Sequence, residues 1–429
     1  MSLIPNHISQ KVYFFSLTAL AFSIPIHNQL SSLIVSLTGI FWLLEFNYVE
    51  KYKRVANSKW RKYLMSFSIL YLLFFISLFY SENIHGYSGG ALFNLEKRMS
   101  ILGFPLLLST IDIEAVKQKL FKQILKAFIL GCMLSSFFLL NVAFFDYMQT
   151  NDPTVFYYGG LAQFHHPSYL ALYFAFAIAI MVNWLLKVQN PDTTKRFAVY
   201  FIILFFQVMI VLLSSKAGIL GMFIVYASTI VYCLFPGYTI NRIRLLIPVF
   251  LLISFMFTLL LNPDSYRRFF SVENAMEMEH ESIDKSKHVD GTVARIFVWQ
   301  CSLEVIQENF LFGVGLGDTK QKLMDKYEEK NITVALKQEL NAHNEYLQTF
   351  MALGVLGFLA LILSLIIPAW FAFRRKKLVS LLFLILIAFH FLVESMLAKQ
   401  AGIVFYAFFN AVLFYQAFGQ NKNSSKFDV

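Results

Sequence analysis

Apolar runs long enough for a helix to cross a bilayer recur along the whole chain. A crossing helix takes about 20 residues at roughly 1.5 Å each. By that rule about twelve runs qualify, near residues 11–27, 29–46, 63–80, 99–110, 121–145, 167–187, 197–214, 217–235, 244–261, 344–372, 378–394 and 401–418. The run at 99–110 is the shortest. It follows Lys97-Arg98 and contains Pro105, so a kinked or re-entrant segment is expected there. The pattern predicts an all-α polytopic membrane protein of about twelve transmembrane helices. Its parts are an N-terminal bundle of about nine spans over 1–261, a large loop at 262–342 with short amphipathic helices, a C-terminal bundle of about three spans over 343–418, and a disordered tail at 419–429. Within the loop, Glu273 to Asp290 alternates acids, Lys and His with few apolar residues, which predicts a solvated, partly mobile stretch. The first apolar run has no clear small-residue cleavage site and a second follows at once, so it reads as a retained anchor.

Composition agrees with a membrane class and narrows little else. Hydrophobic residues make up 58% of the chain and charged residues 14%, against about 25% charged in a soluble domain. The net charge of +10 could suggest nucleic acid, but Lys and Arg stand in short clusters between apolar runs, so no nucleic-acid partner is expected. The clusters are Lys51 to Lys62, Lys117 to Lys122, Lys187 to Arg196, Arg242 with Arg244, and Arg374 to Lys377, in every second loop. The positive-inside rule assigns them, and both termini, to the cytoplasm. The other loops, including 146–166 with Asp146 and Asp152 and the long 262–342, then face the periplasm. Cys132 and Cys233 lie in apolar runs and Cys301 in a polar segment, which gives neither a disulfide framework nor a CxxC motif.

The candidate chemistry falls on the outward face. His343 begins the segment His343-Asn344-Glu345-Tyr346 ahead of a span that holds Gly354 and Gly357. At about 100° per residue, Gly354 lies roughly 20° to one side of His343 and Gly357 roughly 40° to the other. The three would share a helix face, with the glycines admitting a neighbouring helix; a histidine that merely caps a helix fits the same spacing. Upstream, Ile296, Trp299, Leu303, Ile306 and Phe310 keep helical spacing, which predicts an amphipathic helix along the membrane surface. Arg295 stands at its edge, where a guanidinium either grips a phosphate or snorkels to water. Gly313-x-Gly315-x-Gly317 could bring backbone N–H groups to phosphates, but it follows no strand and is not a nucleotide fingerprint. Lys216 stands at the outer end of two spans, and Lys97, Arg98 and Lys399 are further outward cations. These run against the charge rule and favour an anionic ligand. His165-His166 precede Pro167 without an HExxH pattern or acidic partner, so no metal site is expected.

These residues together resemble the bacterial O-antigen ligase and polymerase superfamily. The likeness rests on His343-Asn344 followed by Gly354-x-x-Gly357, on Arg295-x-x-x-Trp299, on Gly313-x-Gly315-x-Gly317, and on Phe164-His165-His166-Pro167-Ser168-Tyr169. It covers roughly 155–415. The resemblance implies glycosyl transfer on the periplasmic face of the inner membrane, from a glycan on undecaprenyl pyrophosphate to lipid A–core in a ligase or to a second lipid-linked glycan in a polymerase. A protein acceptor belongs to the same superfamily. It implies an inverting, metal-independent reaction without a cofactor. His343 corresponds to the family's essential histidine and Arg295 to a family arginine. A second family arginine follows a serine; here Ser215 is followed by Lys216, which keeps the charge but not the planar fork. The expected site is therefore His343 as base, with Arg295, Lys216 and Arg98 on the donor pyrophosphate. Asn344, Gly354, Gly357, Trp299, Gly315 and His166 support them. The rival from another class is a transporter of lipid-linked glycan, which should show repeated halves and charges deep in its spans. The sequence offers only His390 and Glu394 near one outer end.

Overall fold

Each apolar run folds as helix in the computed structural model, which describes residues 5–85, 90–113, 117–188, 192–235, 242–262 and 291–418. No strand occurs among the described residues. The first part contributes α1 (Asn6–Ser23), α2 (Asn28–Leu44), α3 (Tyr48–Ala56), α4 (Lys59–Ser66), α5 (Ile69–Ile76), α6 (Ala91–Lys97), α7 (Met99–Thr110) and α8 (Lys117–Thr150). Then come α9 (Tyr158–Leu161), α10 (Pro167–Lys187), α11 (Thr193–Leu212), α12 (Lys216–Leu234) and α13 (Leu246–Leu260). The loop holds α14 (Gly291–Glu308), α15 (Thr319–Glu329) and α16 (Thr333–Lys337). The last three are α17 (Glu345–Arg374), α18 (Leu378–Val393) and α19 (Gln400–Phe418). Seven described helical segments are long and apolar enough to cross a membrane, and the pair α2 and α3, bent by 101°, could make an eighth. At α1, α7, α13 and α18, where spans were expected, the helices miss that mark: α7, α13 and α18 are too short, and α1 is not apolar enough. The stretch from Glu273 to Asp290 and the tail lie outside the described residues.

Two helices run through the middle. Along its apolar window α10 is 89% buried and α19 is 83% buried, whereas α11 is 33% buried, so α10 and α19 are packed by protein all round. Ala171, Ala175, Ala177 and Ala179 keep α10 slim between its aromatic residues, and Gly218 of α12 leaves room for Ala171 alone. Between helices in lipid there is little hydrophobic drive, so close packing must hold them. Aromatic rings do much of this. Phe409 of α19 meets Phe128 of α8 and Phe176 of α10 at 4.9 Å, and Phe176 meets Phe383 of α18 at 5.1 Å. One apolar core thereby joins helices from before and after the long loop. Outward, Phe15, Phe145, Phe201 and Leu260 stand exposed, a continuous apolar surface that water would not tolerate. The chain is a multi-pass membrane protein.

The two ends of the bundle differ. At one end, basic residues bind helix C-terminal carbonyls. Arg61 donates to Ser109 O (2.6 Å) and Ile111 O (3.1 Å), Arg54 to Thr110 O (3.0 Å), Arg375 to Ala417 O (3.2 Å) and Arg244 to Leu186 O (2.6 Å). Cations there complement the negative ends of the helix dipoles. The starts of α10, α12, α17 and α19 and the end of α18 lie at the other end, with His343.

The glycine motif works differently from the expected seam. α17 breaks at Gly354, whose φ is +62° and ψ −160°. The backbone groups freed by the break pair with the loop: Val314 N donates to Met351 O (2.8 Å), Gly315 N to Ala352 O (3.0 Å), and the freed Val355 N to Phe310 O of the loop (3.0 Å). A Cβ on Gly354 would overlap the backbone of Leu311. The ideal-helix geometry fails for this reason. His343 precedes the helix, and what approaches Gly354 is loop backbone rather than a helix. Gly357 faces Leu353 of its own helix. The glycine-rich turn is also committed elsewhere: Gly317 N donates to Ser81 Oγ (3.3 Å), and Asp318 accepts from Glu82 N (2.8 Å) and Asn83 N (2.9 Å). Gly315 therefore packs on Ser81 and offers no N–H to a phosphate. The amphipathic stripe is shifted as well. α14 buries Ala294, Val298, Cys301 and Val305 against the loop's own core, while Leu303 and Phe310 are exposed.

The break gives a direct test. Gly354→Ala places a side chain in a backbone region open to glycine, a strain of about 1–3 kcal/mol before the overlap with Leu311 is counted. Thermal unfolding in detergent should show a clear drop in Tm. An unchanged Tm would mean that the loop does not depend on the break.

Candidate active site

The turn before α17 is held on every side. Asn344 caps the helix, its Oδ1 accepting from Leu347 N at 3.2 Å. His343 sits just ahead with φ +43°, in the left-handed region that non-glycine residues seldom occupy outside functional sites. Its own N–H donates to Asn341 Oδ1 (3.0 Å). Trp299 of α14 donates to Ala342 O (2.9 Å), and Ala342 N donates to Gln348 Oε1 (3.3 Å). Asn344 N donates to Ser395 Oγ (3.3 Å). Contacts from α14, α17 and the α18–α19 connection thus fix the backbone around His343.

The partner of His343 is Glu394, at the end of α18. His343 Nδ1 lies 3.5 Å from Glu394 Oε2. The other oxygen, Oε1, accepts from Ser168 Oγ of α10 (3.2 Å) and Arg295 Nη2 of α14 (3.3 Å). Ser168 Oγ is 3.5 Å from Ser215 Oγ, which caps α12 through Gly218 N. Burial pushes the Glu394 carboxyl up, but His343, His166 and Arg295 more than offset it and hold it below the ordinary carboxylate range. Glu394 is the residue at the centre of this cluster that the sequence pattern did not bring to it. Its signal was a lone acid at the end of an apolar run, noted only as a mark of a transporter.

The expected residues divide into three groups. His343, Arg295 and His166 come together around Glu394, and Ser215, the residue before Lys216, reaches this group through Ser168. Asn344 and Trp299 shape the turn, and Gly354 anchors the loop that carries Trp299 and Arg295. Arg98 is not brought to the surface of the cluster. It is 3% exposed, donates to Asn94 O (2.8 Å) and lies over the Phe74 ring. The two adjacent histidines diverge: His166 is exposed and caps α10 through Ser168 N, while His165 is buried edge-on to Tyr173.

A carboxylate near Nδ1 is the arrangement that, once closed to hydrogen-bond distance, would orient the ring with Nε2 outward. His343 first, then His166 and Arg295, favour the ionised carboxylate. The Glu394 value is depressed on folding, so its ionised form stabilises the fold above the ordinary carboxylate range. That contribution is lost as pH falls through the folded value. Glu394→Gln should therefore flatten the acid limb of Tm against pH measured in detergent. Identical acid slopes for the two proteins would show that Glu394 does not carry this charge network.

The O-antigen ligase family model matches residues 198–362, so the resemblance read from the sequence holds over that stretch. It contains Lys216, Arg295, Trp299, Gly315, His343, Asn344, Gly354 and Gly357. Arg98, His166 and Glu394 lie outside it. An uncharacterized protein of Haemophilus influenzae is 24% identical over 252 residues, covering 56% of this chain and 60% of the relative. The alignment thus spans less than two thirds of the relative's length.

Proposed function

We propose that this protein is an O-antigen ligase-like glycosyltransferase. It moves a glycan from undecaprenyl pyrophosphate to an acceptor hydroxyl, that of lipid A–core, on the periplasmic face of the inner membrane. The observation that carries the reading is the shared carboxylate: Glu394 meets His343 Nδ1 at 3.5 Å and Arg295 at 3.3 Å. A base and a phosphate-binding cation are thereby held side by side. The gathering of basic loops at the opposite end supports both termini in the cytoplasm.

In the reaction, His343 Nε2 takes the proton of the acceptor hydroxyl as its oxygen bonds to the anomeric carbon. The bond from that carbon to the diphosphate oxygen breaks, and its electron pair leaves with the diphosphate. Attack opposite the leaving group inverts the anomer. The remaining donors of Arg295, with Lys216, meet the charge that grows on the diphosphate, and such preorganised charge is commonly the largest catalytic contribution. Glu394 stabilises the transient imidazolium, which then releases its proton to water. The reading takes the reaction as metal-independent, with no covalent glycosyl intermediate. A polymerase would differ only in its acceptor, a second lipid-linked glycan.

The test is reconstitution with a lipid-linked donor and three acceptors: lipid A–core, a second donor molecule and a protein. His343→Ala should lower kcat roughly 100-fold or more, the usual share of a general base, while the protein still inserts and folds. Transfer at the wild-type rate would sink the assignment. Arg295→Lys should retain part of the donor affinity, because charge remains and the fork is lost. Transfer to the second donor alone would make the protein a polymerase.

A further inference from the structure

Lys97, Arg98 and Lys399 gather at the same end of the bundle, on elements that carry neither Arg295 nor Lys216. α7 and α19 run side by side in the same direction. Phe104 and Phe408 meet at 5.3 Å, and the far ends meet where Arg61 binds Ser109 O beside Trp60, whose ring is 5.1 Å from Tyr415. Their N-termini are therefore neighbours, headed by Arg98 and Lys399 respectively. Lys97 ends α6 beside them, its Nζ 3.8 Å from the Phe93 ring centroid.

The charge at this corner is poorly answered. Neither Lys97 nor Lys399 forms an ion pair among the described residues. Arg98, buried beneath them, has an Nε without a hydrogen-bond partner. Glu345 is the carboxylate that faces Arg98, and both its oxygens are engaged, by Leu397 N (2.7 Å) and Thr349 Oγ1 (2.8 Å). Leu397 is two residues from Lys399, so the same connection carries Ser395 against Asn344, Glu394 against His343, and Lys399 at the corner. Burial first, then Arg98 and Lys399, push the Lys97 ammonium below its ordinary value, as uncompensated neighbouring cations do. Two helix N-termini add their own positive potential.

We propose that Lys97 and Lys399, backed by the buried charge of Arg98, form a second phosphate subsite, next to the His343–Glu394 pair, that binds the phosphate-bearing headgroup of the acceptor lipid. This rests on the reading of the protein as a glycosyltransferase using two lipid substrates. Arg295 and Lys399 both act on His166, so the subsite adjoins the His343–Glu394 pair, and a second phosphate beside the donor's would belong to the acceptor. Lys399, exposed on a short connection, can follow a headgroup, while half-buried Lys97 and buried Arg98 supply a more fixed field.

The experiment uses the full chain in phosphatidylcholine nanodiscs and measures binding without turnover. The probes are lipid A carrying both phosphates, the same lipid dephosphorylated, and undecaprenyl diphosphate. In the double variant Lys97→Gln/Lys399→Gln, affinity for phosphorylated lipid A should fall about tenfold, the size of one or two lost charge-assisted contacts. Dephosphorylated lipid A should bind as to wild type, and Lys97→Arg/Lys399→Arg should restore most of the loss. A fall for undecaprenyl diphosphate instead would keep the subsite and give it to the donor. Wild-type affinity for both phosphorylated lipids would overturn the proposal. Because binding is read directly, a protein that shows this loss yet never transfers a glycan would sink the glycosyltransferase reading and leave the subsite standing.

Discussion

The structure depends on one broken helix. Backbone carbonyls at membrane depth must find donors, and an unbroken helix supplies them from its own chain. α17 gives that up at Gly354, and the loop supplies the missing partners through Val314 and Gly315, with Phe310 O accepting in return. The exchange fixes a long polar loop onto the bundle at a single register. Asp318 adds a second anchor by binding the backbone at Glu82 and Asn83. With both anchors set, α14 can lie only where Trp299 meets the turn before α17 and Arg295 meets the end of α18. The chemistry of the site is thus a consequence of a backbone match made well below it.

Glu394 then does what no single helix could. Its two oxygens draw on α10, α14 and the turn at His343, elements far apart in sequence. A carboxylate largely withdrawn from water needs such partners to stay ionised. Removing any one would leave the others facing a less stable charge, so the cluster acts as a unit. His343 is held from the backbone side by a strained left-handed turn and from the ring side by Glu394. Rigidity of both kinds suits a base whose nitrogen must meet a hydroxyl at hydrogen-bond distance.

Much of this was legible and some could not be. Helix positions followed from apolar runs, because a bilayer demands them. His343 and Arg295 stood out as polar residues at the ends of such runs and within a family-like pattern. The glycines were legible as a motif but not as a mechanism: ideal helical angles place Gly354 beneath His343, whereas its positive φ ends the very helix those angles assume. Gly315 suggested phosphate binding because spacing cannot show that its N–H already serves Ala352. Arg98 looked outward because sequence records that a cation ends a span, not that Phe74 and Glu345 enclose it. Glu394 was hidden because its meaning lies in partners 51 residues (His343) and more away, which periodicity does not reach.

The two ends of the bundle finally differ in how cations meet helix dipoles. At the end opposite His343, Arg54, Arg61, Arg244 and Arg375 bind carbonyls at helix C-termini, where a positive charge is favourable. At the His343 end, Arg98, Lys216 and Lys399 stand at the N-termini of α7, α12 and α19, where the dipole opposes them. Serine, aspartate or asparagine would serve the N-caps of α7 and α19 better for folding alone, as Ser215 serves α12. Arg98 and Lys399 thus head α7 and α19 at the site end without a side-chain cap of the kind that Ser215 gives α12. In the proposed reaction a diphosphate or phosphorylated headgroup would bring negative charge to this end, next to His343.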